Sequence, residues 1–107
     1  MAKDTKLIQY TTPTLEIKVL DSIDLNTFEE IHVTFSQGGT VVDIDSPSIL
    51  SENTICVELT QEQTAKFTSR QPVNVMVNLV AAEGKRFANK DPIQMMVVDN
   101  LLKRVIT

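Results

Sequence analysis

Only one imidazole and one thiol are available for chemistry, His32 and Cys56, and neither has a partner of the other kind nearby in the chain. His32 falls between Ile31 and Val33 in an alternating segment. It therefore points away from the face those two bury, and any partner must come from another strand. A zinc site wants a second ligand type at short spacing, which is missing. Cys56 alternates with Ile55 and Val57 in the same way; without a local base or second thiol it reads as a half-buried filler rather than a nucleophile. Asp21, Asp24, Asp43 and Asp45 offer carboxylate oxygens, but their spacing does not form a calcium-wrapping loop, and acids at strand ends ordinarily make turns. Gly38-Gly39 lacks the Lys-Ser/Thr and the following helix of a phosphate loop. The residues thus predict no catalytic, cofactor-binding or metal site, and no enzyme.

Charge and composition narrow the partners. Ten basic against fourteen acidic side chains leave a net charge of -4 and a pI near 4.8, which argues against a nucleic-acid binder. Lys85, Arg86 and Lys90 form a short cluster that reads as a solvated hairpin end. With no Trp, one Tyr and four Phe, stacking platforms are scarce. No run approaches the roughly 18 apolar residues of a membrane span, and residues 1–10 lack the apolar core of a signal peptide, so no membrane contact is expected. The single cysteine rules out an internal disulfide and fits a reducing compartment or a particle assembled there.

These residues must be held by strands. Leu15, Ile17 and Val19 alternate with Glu16 and Lys18 to predict a strand over 14–20. Residues 21–29 read as a crossing loop with one helical turn. A strand over 30–37, with Ile31, Val33 and Phe35 inward, meets Gly38-Gly39 and returns over 40–44 as a hairpin; Pro47 then ends that pairing. Residues 55–59 alternate strictly until Thr60 opens Thr-x-x-Gln, a capping box that predicts a short helix over 61–67 anchored by Phe67. A long strand over 73–82 with Val73, Val75, Val77 and Leu79 inward turns at Glu83-Gly84 into 85–89, and a last strand covers 93–98. The fold class is all-β with one short connecting helix: an immunoglobulin-like β-sandwich of about seven strands in one domain over 1–107, lacking the disulfide and core Trp of antibody domains. Residues 1–11 are expected to be flexible, and 100–107 to form a packing helix or strand.

Two strands carry more apolar residues than one buried face needs. Met76 and Val80 lie opposite the inward set of the long strand, and Met96 and Val98 opposite Ile93, Met95 and Val97. If these strands share a sheet, the four make an outer apolar patch that something must cover. Leu101, Leu102, Val105 and Ile106 of the tail could fold over it, or another subunit could. These eight residues are the expected protein interface, with homo-oligomerisation as one form of it.

Three motifs in order carry a resemblance: Tyr10-Thr11-Thr12-Pro13-Thr14-Leu15, then Ile31 to Gly39 reading IHVTFSQGG, then Leu59-Thr60-Gln61-Glu62-Gln63-Thr64. Together they resemble a group of small β-sandwich proteins, about this length, encoded by tailed phages and prophages of Gram-positive gut bacteria. That group shows a TTPT start, a VTFxQ strand before a turn, and an LTQEET-like junction. The match runs from Tyr10 to about Val98; Gly38-Gly39 replaces a polar turn and Gln63 a second acid. The resemblance implies a structural or accessory protein of a phage particle, made in the bacterial host cytoplasm and incorporated into a virion, contacting itself or other phage structural proteins. It brings no catalytic or ligand-binding residue. The alternative is a monomeric binding module that grips a glycan or peptide through loops at 21–29, 45–52 and 83–90.

Overall fold

The computed structural model describes residues 6–19, 24–45, 47–88, 93–104 and 106. Nine strands, β1 (Lys6–Ile8), β2 (Thr14–Lys18), β3 (Phe28–Gln37), β4 (Thr40–Ile44), β5 (Ser48–Ser51), β6 (Thr54–Glu58), β7 (Pro72–Ala81), β8 (Arg86–Ala88) and β9 (Ile93–Val98), form two sheets. The larger runs β1-β9-β7-β3-β4, with β8 flanking the far half of β7; the smaller runs β2-β6-β5. This is the two-sheet Greek-key layout of an immunoglobulin-like sandwich, with β7 and β9 adjacent and antiparallel. Among the described residues no helix is long and apolar enough to cross a membrane.

Alternation explains the core. Ile31, Val33 and Phe35 of β3 face Leu79, Val77 and Val75 of β7 in register, and all six are buried. Ile17 of β2 sits opposite Ile55 of β6 on the facing sheet, and both are buried as well. The hairpin at Gly38-Gly39 forms as its sequence predicts, with Gln37 paired to Thr40 and Gly38 at φ +57°, a conformation that only glycine adopts without steric cost. A single 3-10 turn at Leu25–Thr27 lies in the crossing segment and buries Leu25. Helix α1 (Gln61–Ala65) starts on the full capping box: the Gln63 amide donates to Thr60 Oγ1 (3.1 Å), and the Thr60 amide donates to Gln63 Oε1 (2.9 Å). It stops at Ala65, short of 67, with Lys66 as its cap, and Phe67 is buried at 1% exposure just beyond.

Two strands go beyond the seven expected. Lys6–Ile8, expected within a flexible stretch, is β1, paired in parallel with β9 and anchored by Leu7 at 0% exposure. Ser48–Ser51, expected as an end loop, is β5, all four of its residues exposed. In the tail, by contrast, the described residues form neither the helix nor the strand expected there.

Candidate functional site

The outer face of the larger sheet holds His32 and the polar side chains around it. Outward positions of β3 (Glu30, His32, Thr34, Ser36) lie in register with Val80, Asn78, Met76 and Asn74 of β7. His32 is bracketed by two carboxylates: Nε2 lies 2.9 Å from Glu30 Oε1, and Nδ1 lies 3.1 Å from Asp45 Oδ1 just past β4. A neutral imidazole can donate from one nitrogen only, so both contacts together call for the imidazolium. The hydrogen bond to Glu30 first, and then that to Asp45, raises the His32 pKa above its ordinary 6.5. The Glu30 and Asp45 side chains are 59% and 76% exposed, so this is a solvated cluster on an open face, with both ring nitrogens engaged. Beside it Thr34 donates to Asp43 across the hairpin, and Arg86 donates to Asn78 (3.2 Å).

Cys56 lies on the other sheet. It is half-buried on that sheet's outer face, in register between Glu16 of β2 and Ser48 of β5. The whole core separates it from His32, so the single thiol and the single imidazole cannot act as a nucleophile and its base, which must share a hydrogen bond. Among the described residues no three His, Cys, Asp or Glu side chains converge as metal ligands.

The expected apolar patch is divided by the register. Met96 stands opposite Pro72, and Gln94 opposite Asn74, so Met76 lies two outward positions away from the Met96 row. The intervening position is polar, with Gln94 Nε2 donating to Asn74 Oδ1 (3.1 Å). Val80 sits between Glu30 and Arg86 and is half-buried, as is Met76. Met96 and Val98 instead join the sheet's margin, where parallel pairing sets Ile8 beside Val98 and Lys6 beside Met96. Ile8 and Met96 are each 45% exposed. The sequence reading missed Ile8, because three residues are too few to display a strand period; the pair Leu7-Ile8 between polar neighbours was its only signal.

The bonds of the described tail residues are to β1's end and to α1 rather than to β7. The Asn100 side-chain amide donates to the Gln9 carbonyl (3.0 Å), and Ile106 exchanges two backbone hydrogen bonds of 2.8 Å with the Gln61 side chain at the start of α1. Leu101 is 99% exposed, Leu102 45% and Ile106 58%. Val105 lies outside the described residues.

No family model matches the chain, and no curated protein matches it. Among solved structures, a crystal structure described as that of an engineered protein is similar in fold, with a TM-score of 0.56 at 17% identity. The likeness covers 87% of this chain but 17% of that one, so the chain spans a small part of the other molecule's length.

Proposed function

We propose that the protein is a non-enzymatic structural or accessory component of a phage or prophage particle and works through protein–protein contacts. The observation that carries this reading is the apolar margin of the large sheet. Ile8, Met96, Leu101 and Leu102 stand at 45% exposure or more on or just beyond β1 and β9, and the Asn100 to Gln9 bond holds the start of the tail against the end of β1. Exposed apolar side chains gathered along one edge support a contact surface. The separation of His32 from Cys56, and the solvated setting of His32, favour contact over catalysis. The phage setting rests on the resemblance of the three ordered motifs. A loop-borne binding module has less support, because much of 45–52 and 83–90 is given over to β5 and β8.

The test is particle composition. Particles purified by density gradient from induced cells of the encoding strain should carry the protein at a fixed copy number by quantitative mass spectrometry. Leu101→Asp with Leu102→Asp should lower that number without altering the far-UV circular dichroism of the purified protein. Particles free of the protein would overturn the reading.

A further inference from the structure

Among the described residues the larger sheet ends in β1 and β4, each paired along one side only and of opposite charge. β1 closes one side with Lys6 and Ile8 on the outer face and Leu7 inward; β4 closes the other with Val41 and Asp43 outward and Val42 inward. The chain of pairings fixes their relative direction. β1 is parallel to β9, and β9, β7, β3 and β4 are antiparallel in succession, so β1 runs antiparallel to β4. If a second copy continues the sheet with its core on the same side, β4 of one meets β1 of the next as an antiparallel pair. In the register that sets Leu7 against Val42, Lys6 falls opposite Asp43 and Ile8 opposite Val41. Charge meets opposite charge, the two exposed apolar residues meet each other, and the buried row continues across the junction.

We propose that the partner is a second copy of this chain, joined edge to edge by β4 of one and β1 of the next in this register; the proposal rests on the protein–protein reading above. Alternatives within the same edges fit less well. Two β4 edges paired antiparallel about Val42 would set each Val41 against an Asp43, and two β1 edges about Leu7 would set each Lys6 against an Ile8, so neither matches charge with charge. Exposed strand edges recruit another chain unless they are blunted. Ile8 at 45% and Val41 at 54% exposure leave both margins apolar enough to do so. Because the two edges differ, the contact is heterologous and repeats head to tail, generating a ring or a filament rather than a closed pair.

Sedimentation velocity of the purified full chain over a wide concentration range tests this. The unaltered chain should form species larger than a monomer. Lys6→Glu and Asp43→Lys should each weaken association by about tenfold or more, since each turns an attractive cross-strand pair into a repulsive one. The double variant, and an equimolar mixture of the two single variants, should restore it. Thermal midpoints report folding, and Val41→Lys, exposed and outside the core, gives a second edge probe should Asp43→Lys unfold when its bond from Thr34 is lost. Association indifferent to every swap would overturn the edge register while leaving self-association intact. A chain monomeric at all concentrations would overturn the second copy as partner, and particle composition would still decide the wider reading.

Discussion

Replacing Gln37 by Met isolates one buried polar node while keeping its volume. Gln37 continues the inward row of β3 and is 9% exposed. Its side-chain amide donates to the carbonyls of Thr68 (2.9 Å) and Gln71 (3.2 Å), and its oxygen accepts from the Thr68 amide (2.6 Å). These bonds clamp the segment between α1 and β7 onto the end of β3. Three bonds at about 1 kcal/mol each set a ceiling near 3 kcal/mol. Thr68 and Gln71 are themselves exposed, so water recovers part of their bonding, and the thioether gains some apolar burial; about 2 kcal/mol should remain. That corresponds to a fall of about 10 °C in thermal midpoint, or about 1 M in urea midpoint. The same change at Gln63, where the side chain bonds the Thr60 amide at the solvent-facing helix start, should cost only about 0.5 kcal/mol. Gln37→Glu adds a sign. It keeps the acceptor for Thr68 but sets a carboxylate against two carbonyls, which raises its folded-state pKa. Its penalty should be full above that raised pKa and disappear as pH falls to the unfolded value of about 4.3. Equal losses at positions 37 and 63, or a Gln37→Met loss below about 0.5 kcal/mol, would refute the clamp.

The His32 cluster makes a second pH prediction, with the same direction in pH but resting on a stabilising contribution rather than a penalty. A histidine whose folded pKa is raised stabilises the fold fully below about 6.5 and loses that contribution as pH rises through the folded value. The stability advantage over His32→Gln, measured by urea denaturation, should therefore shrink from pH 6 to pH 8; an advantage that grew over that range would contradict the bridging geometry. Thr64 is fully buried; its hydroxyl accepts from the Thr11 amide (3.1 Å) and donates to the Thr11 carbonyl (3.0 Å). Thr64→Val should cost about 2 kcal/mol and speed hydrogen exchange at Thr11, and unchanged exchange there would sever the link. Leu7→Ala removes the buried anchor of β1 and should cost about 3 kcal/mol in denaturant titrations; a loss under about 1 kcal/mol would mean β1 is only weakly docked.

How much could be read in the sequence follows from how local each signal is. The strands of the core declared themselves because alternation over five or more residues repeats one decision several times, as in Ile31, Val33 and Phe35. The capping box was legible because its two bonds join residues three apart. β1 and β5 were not, because three or four residues show no period, and β1 exists only through its pairing with β9, each residue opposite one ninety positions on in the chain. The arrangement of the outward residues was not legible for a related reason. Which outward residues adjoin depends on register, and the offset that sets Met96 against Pro72 instead of Met76 cannot be computed from either strand alone. Likewise the partners of His32 include Glu30, two residues away and visible, and Asp45, which only the hairpin register brings near.

The three motifs behind the resemblance meet in space, and that bears on what they are for. Thr11 of the first is bonded through both its amide and its carbonyl to Thr64 of the third, and Gln37 of the second is bonded to Thr68 just after the third. All three converge at the end of the sandwich where α1 crosses from the small sheet to the large. The two buried polar side chains of the motifs are satisfied by backbone distant in the chain, Thr64 by Thr11 and Gln37 by Thr68 and Gln71, which is what a crossing between sheets requires, since its irregular backbone has no ladder partners of its own. The motifs are therefore a device for closing one end of the fold. β4 and β9 lie outside all three motifs, and so does β1. Of these, β1 and β4 make up the margins of the large sheet, where the proposed partner would pair without disturbing the clamp.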